Sequence, residues 1–341
     1  MDSPPADKFS VTCFSCGMWF VLAAAFFACA TSVMAQRALP AEIEAFIDEM
    51  VQKHQFERER LRRMFSQVRA RPAIIRAISA PITARPWYEF RDRYVDDARI
   101  TGGVRFWEQN AAVLARASTE FGVPEEIIVA TLGIETLYGR NTGSFTVLEA
   151  LATLAFHHPP RAELFRSELE EYLLLGREAR IDVLSAKGSY AGAIGIPQFL
   201  PSSYRRFAVD FNGDGKRDLW RSTSDTIGSV ANYYRSFGWR AGEPIAVRAT
   251  VEETDVETLI AAGIKPHVKV AELRQRGVMP LAPVAEDAEA ALFTVEAEQG
   301  AQYWLALNNF YVITRYNRSV NYALAVYELA RELRALVKPG R

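Results

Sequence analysis

Between Ala41 and Arg69, apolar residues stand at Ile43, Phe46, Ile47, Met50 and Val51. Spacing by three and four keeps one face of an α-helix dry, so helices are predicted there. A Pro-bearing stretch from Pro72 to Pro86 breaks the rhythm, because proline lacks a backbone donor and clashes with the preceding turn. Helical spacing resumes over Gly103–Phe121 at Ala111, Leu114, Ala115 and Ala117, and Gly122 with Pro124 closes one helix and opens the next. Further helices are predicted over Leu148–Phe156, Arg161–Leu175, Asp225–Phe237 and Val320–Val337.

Beyond Gly242 the period shortens. Alternating runs at Pro244–Val251, His267–Val270, Ala291–Val295 and Tyr311–Tyr316, punctuated by polar, Gly or Pro residues, predict short strands. The class is therefore mainly α (α+β). A small β-containing insertion is expected at 241–308, and a strand and a helix at 309–341 return the chain to the helical body.

The first 35 residues read as an export signal: Lys8 precedes the apolar run Met18–Ala28, and Val33-Met-Ala35 offers small residues before Gln36. The uninterrupted apolar stretch falls short of the roughly 20 residues a spanning helix needs, which favours cleavage over a retained anchor. Cys13, Cys16 and Cys29 all lie in this segment, so the exported chain has no disulfide, thiol nucleophile or thiolate metal site. Forty bases less Lys8 and forty-one acids less Asp2 and Asp7 leave 39 of each. Neutrality of that kind argues against capture of nucleic acid or a polybasic grip on membranes.

Candidate chemistry begins with Glu135, in the apolar helix Pro124–Gly139. A carboxyl that shares a helical face with Ile128, Thr131 and Leu132 loses water on folding, which raises its pKa toward the range of a general acid. A structural Glu that caps a backbone group is the alternative. The loop Gly188–Tyr204 carries Ala191, Gly192, Ala193 and Gly195, small enough for a polymer to approach the backbone, with Ser189 and Gln198 as hydrogen-bonding groups. This floor suits a sugar, although a tight interhelical connection would use the same residues. Asp210-Phe-Asn-Gly-Asp-Gly-Lys-Arg-Asp218 matches the first half of a calcium loop, with oxygens from Asp210, Asn212 and Asp214, a turn at Gly215 and a carbonyl from Lys216. Position twelve is Arg221 rather than Glu, so Asp218 or Asp225 would have to close the shell of a structural Ca2+; an Asx-rich turn holding water is the alternative. Tyr233, Tyr234 and the aromatic run Asn308–Ser319 offer flat rings with polar tips that can stack on a pyranose. The histidines stand at no metal or triad spacing.

Several motifs occur in order: Gly133-Ile-Glu-Thr136 with Tyr138-Gly-Arg140, Ala150–Phe156, Gly188-Ser-Tyr-Ala-Gly-Ala193, Pro197-Gln-Phe199 with Pro201-Ser-Ser-Tyr204, the Asp-rich loop, Ser229–Tyr233 and Asn309–Asn317. Together, from about Trp87 to about Leu336, they closely resemble the lytic murein transglycosylase B family. The resemblance implies a lysozyme-like helical core at 103–240, an added helical region at 36–102 and the small β insertion, acting on peptidoglycan in the periplasm. It implies that Glu135 alone protonates the bond between N-acetylmuramic acid and N-acetylglucosamine, then takes the proton from the muramoyl C6 hydroxyl to leave a 1,6-anhydro end, with no catalytic cofactor. Ordinary glycosidases place a second carboxylate roughly 5–10 Å from the first, and no other acid stands in a comparable setting. The resemblance further implies that Ser189 and Gln198 line the cleft, that Tyr233, Tyr316 and Asn317 contact or orient the sugars, and that Asp225 is a late calcium ligand. Phe90 stands where the family often has Tyr, so stacking rather than a hydroxyl contact is expected. A monomer is expected, with peptidoglycan strands and other cell-wall enzymes as partners. A hydrolytic muramidase and a glycan-binding protein without turnover are the rival readings.

Overall fold

The computed structural model describes residues 38–79, 85–252 and 256–337. The expected export segment lies outside them. The amphipathic start folds as α1 (Ala41–His54) and α2 (Arg58–Gln67), which bury Phe46, Ile47 and Met50 against Leu61 and Phe65. The Pro-bearing stretch that should break the pattern contains α3 (Pro72–Ile78), because Pro72 occupies the first turn, where its missing N–H has no helical partner to lose. Next come α4 (Trp87–Tyr94), α5 (Asp97–Gln109), α6 (Ala111–Phe121) and α7 (Glu125–Thr136). The Asp96 carboxylate caps α5 at the Arg99 N–H, 2.7 Å away, and Gly122 ends α6 with φ 72°.

α7 is the axis of the molecule. Every residue from Ile127 to Ile134 is buried, with α5, α6 and the later helices around it. A helix buried on every side over these residues has no wet face there and belongs inside a core. The two-stranded ladder of β1 (Phe145–Thr146) and β2 (Lys187–Gly188) then frames α8 (Val147–His157) and α9 (Ala162–Glu178), and α10 (Pro201–Phe207) and α11 (Thr223–Ser236) complete this part.

The β-containing region comprises β3 (Ala246–Val251), α12 (Val256–Ala261), β4 (Val268–Lys269), α13 (Val270–Gln275), β5 (Val278–Pro280), β6 (Glu289–Ala297) and β7 (Gly300–Ala306). Its antiparallel sheet has the order β4-β6-β7-β3-β5, and β6 and β7 form a hairpin whose register runs from Ala291↔Ala306 to Ala297↔Gly300. Alternation gives the sheet two dry faces. Val247, Leu292 and Leu305 pack in a small core with Leu259, Val270 and Leu273, whereas Phe293, Val295 and Trp304 join the helical core.

Tyr311–Tyr316 is not the returning strand that its alternation predicts. It lies in α14 (Asn308–Tyr316), and α15 (Val320–Leu336), capped by Ser319, ends the described chain. A short apolar run bears no period of its own. Here the deciding contacts are tertiary, since buried Asn309 accepts from Arg240 N–H at 2.9 Å and donates to the Arg240 and Glu243 carbonyls. The strand entering the helical body is β7, masked in sequence by its Gly300-Ala301 start. Among the described residues, no helix is long and apolar enough to cross a membrane.

Candidate active site

Glu135 is the next-to-last residue of α7, where the chain leaves the helix through left-handed Leu137 (φ 51°) and Tyr138 (φ 60°). Their N–H groups return to the Gly133 and Leu132 carbonyls and close the helix end. Gly133 makes this turn possible: a Cβ there would stand 2.5 Å from the Tyr138 hydroxyl. That hydroxyl donates to the Arg99 carbonyl at 2.7 Å and pins the turn to α5. Thr136 fastens the other side, donating through Oγ1 to the Ile196 carbonyl at 2.8 Å and accepting from the Gly139 N–H at 3.0 Å. The helix end and the glycine-rich loop are thus joined one residue from the acid.

The half-buried Glu135 side chain opens into a cavity of about 350 Å³. Phe90 and Tyr94, stacked at 4.5 Å, form one wall; Tyr190, Ala191, Arg161, Asn317 and Tyr322 complete it. Among the described residues, Glu135 is the only carboxylate in the lining. Burial pushes its pKa from 4.5 up to about 7, against a downward pull from the Tyr322 hydroxyl, which donates to Oε1 at 2.6 Å. Desolvation wins because the surroundings are aromatic: Tyr316 stacks on Tyr322, and Tyr233 and Tyr234 pack behind them. The acid is therefore substantially protonated near neutrality, as a proton donor requires.

Of the residues singled out from sequence, Phe90 and Asn317 line the cavity with Glu135. Ser189, Gln198, Tyr233 and Tyr316 are not among its lining residues, and each has a polar atom bonded to the backbone. Ser189 Oγ accepts from the Ala191 and Ala193 N–H groups, and Gln198 Nε2 donates to the Thr142 and Gly195 carbonyls. The Tyr233 hydroxyl donates to the Arg315 carbonyl at 2.6 Å and that of Tyr316 to the Pro197 carbonyl at 2.5 Å. These four hold the floor and rear wall in shape. Sequence reasoning missed Tyr94, Arg161, Tyr190 and Tyr322. Tyr94 stands one helical turn after Phe90, a spacing that places both on one face; Tyr322 lies just past the aromatic run, where α15 turns its first buried residue inward.

The Asp-rich segment is a separate feature. Asp210 accepts from the N–H groups of Gly213, Asp214 and Gly215, and Gly213 and Gly215 take left-handed φ of 76° and 84°. Asp225, fully buried in α11, accepts from Phe211 and Asn212 on one oxygen and Asp218 on the other. Both Asp225 oxygens thus hold the ends of the loop together. Asp218 in turn accepts from Trp220 and Arg221 N–H. Among the described residues, no three His, Cys, Asp or Glu side chains converge as a metal-holding group. A cation here would draw on the Asp210, Asn212 and Asp214 side chains, the Lys216 carbonyl and water, an all-oxygen donor set that suits a hard ion such as calcium.

Residues 38–331 match the family described as Transglycosylase SLT domain. The chain is 41% identical over 298 residues to membrane-bound lytic murein transglycosylase B of Escherichia coli, covering 84% of this chain and 81% of that protein. Its fold superposes on catenated lytic transglycosylase SltB1 from Pseudomonas aeruginosa with a TM-score of 0.82 at 46% identity, over 87% of this chain and 98% of the other. The Escherichia coli lytic transglycosylase Slt35 in complex with calcium gives a TM-score of 0.78 at 40% identity, over 86% and 93% of the respective chains.

Proposed function

The chain belongs to the transglycosylase SLT domain family and is a peptidoglycan-cleaving lytic transglycosylase with a lysozyme-like fold, and we propose that Glu135 serves it as the sole acid and base. The observation that carries this reading is the lone carboxyl of the cavity, raised to about 7 by burial. In the first half of the reaction, protonated Glu135 gives its proton to the glycosidic oxygen between N-acetylmuramic acid and N-acetylglucosamine as the C1–O bond breaks. The substrate acetamido group shields the anomeric carbon. In the second half the muramoyl C6 hydroxyl bonds to C1 and returns its proton to the Glu135 carboxylate. The acid is regenerated, no water enters, and the product carries a 1,6-anhydro ring. Tyr322 holds the carboxylate between the two transfers, Tyr94 and Asn317 hold the sugars, and Phe90, only 1% exposed, backs the Tyr94 ring rather than offering the open stacking face expected of it.

Mass spectrometry of digested sacculi tests this directly. The expected product ends are anhydromuramoyl; reducing muramic ends would show instead a water-using muramidase that shares the fold. The amino-terminal pattern supports action in the periplasm, on glycan strands.

The Asp210–Asp218 loop is assigned to a structural calcium, supported by its oxygen donors, its two left-handed glycines and the calcium complex of Slt35. Excess chelator is expected to lower Tm by several degrees, since an ion bound only by the folded state stabilises it by mass action. An unchanged Tm would assign the loop to its own hydrogen bonds.

A further inference from the structure

A second cavity, of about 580 Å³, lies on the outer sides of two helices that also serve the first. α4 presents Phe90 and Tyr94 to Glu135, while Trp87 and Arg91 line the second cavity. α15 brings Tyr322 to Glu135 and, roughly 13 Å further along its axis, supplies Arg331 and Glu332. The β6–β7 hairpin closes the space with Glu298, Gln299 and Gln302, above Trp304, and β3 adds Arg248.

Its chemistry differs from that of a sugar cleft. Trp87 and Trp304 are only 2% and 3% exposed, so neither ring has an open face on which a pyranose could stack. The charges are what remain available. Arg91 is neutralised by Glu328 at 2.7 Å, but Arg248, Arg331, Asp92, Glu298 and Glu332, all exposed, have no ion-pair partner among the described residues, which leaves the acids in slight excess. Uncommitted cations and anions in one cavity complement a ligand that bears both signs, and the Gln299 and Gln302 amides can serve peptide groups in both directions. Beneath them the indole N–H of Trp304 has no acceptor among the described residues, and the Arg248 guanidinium lies over its ring at 5.9 Å. A buried donor without an acceptor is costly; drawing Arg248 onto a carboxylate would open Trp304 to an incoming carbonyl.

We propose that this cavity binds the peptide stem of peptidoglycan through its free ammonium and carboxylate groups, at a site separate from the one that cuts the glycan. The proposal rests on peptidoglycan as the substrate, yet it is read by binding, so failure of the Glu135 mechanism would leave it measurable. The test is titration of the ¹⁵N-labelled protein with a free stem tetrapeptide containing diaminopimelate, following the Trp304 indole resonance, identified by its loss in Trp304→Phe. A saturable shift is expected, and Arg248→Ala combined with Arg331→Ala should weaken it about tenfold or more, with turnover of peptide-free glycan unchanged. An unresponsive Trp304, an affinity indifferent to the two arginines, or an equal shift with a peptide-free chito-oligosaccharide would overturn the proposal, the last by assigning the cavity to glycan.

Discussion

Two carboxyls mark the contrast between the cavity and the Asp-rich loop. Asp225 is fully buried, and its two oxygens accept three backbone N–H groups. Glu135 is less buried and receives a single hydrogen bond, from Tyr322, while the rest of its carboxyl opens into a cavity. Burial alone therefore does not identify a working acid. Fully satisfied, a buried carboxylate is a clamp; unfilled hydrogen-bonding capacity beside open space is what supports the reading of Glu135 as a reagent. Glu168 in α9 falls with the clamps, since both its oxygens accept from Ser202.

The strongest way to break this contrast is to exchange the two acids for neutral groups. Glu135→Gln should lower release of anhydromuropeptides by about 10²–10⁴-fold while the protein still folds and binds sacculi; near-normal turnover would return the acid role to another residue. Asp225→Ala should do the reverse, costing on the order of 3 kcal/mol as three N–H groups lose their acceptor, read as a lower denaturation midpoint with glycan cleavage retained below the new Tm. Loss of cleavage in a fully folded Asp225→Ala would dissolve the distinction.

A finer test uses pH. Unfolded, Glu135 releases its proton near 4.5, whereas the native group holds it to about 7. Below the lower value both states are protonated; between the two, only the native state keeps the proton, so stability falls as pH rises and levels off above about 7. Relative to Glu135→Gln, the wild type should lose on the order of 3 kcal/mol across that window, and parallel pH profiles for the two proteins would refute the raised pKa. The smallest effect concerns Tyr322→Phe. Removing a hydrogen bond that favours the charged carboxylate should raise the Glu135 pKa further and move the alkaline limb of kcat/KM to higher pH.

Much of this arrangement was legible along the chain because local rules governed it. The helices with a wet and a dry face announced themselves by spacing, as did the acid, whose unusually apolar helix is unusual for a physical reason: it has no wet face. The Asp-rich loop was readable because its glycines and short oxygen-bearing side chains act within a few residues of one another. What stayed hidden depended on partners far away in sequence. α14 looked like a strand because its fate is decided by Asn309 meeting Arg240 and Glu243. Gln198 is tied to the Thr142 carbonyl, 56 positions away, a bond that no local pattern announces. Tyr322 lies 187 positions from the carboxyl it touches.

The bond from Thr136 to the Ile196 carbonyl has a consequence for alignment. Acid and floor come from distant segments, and two independently fluctuating parts would have to find each other afresh in every encounter. Riveted at a point adjacent to the proposed acid, they travel as one piece, and thermal jitter in the surrounding helices shifts the whole anvil without changing the distance between hammer and work.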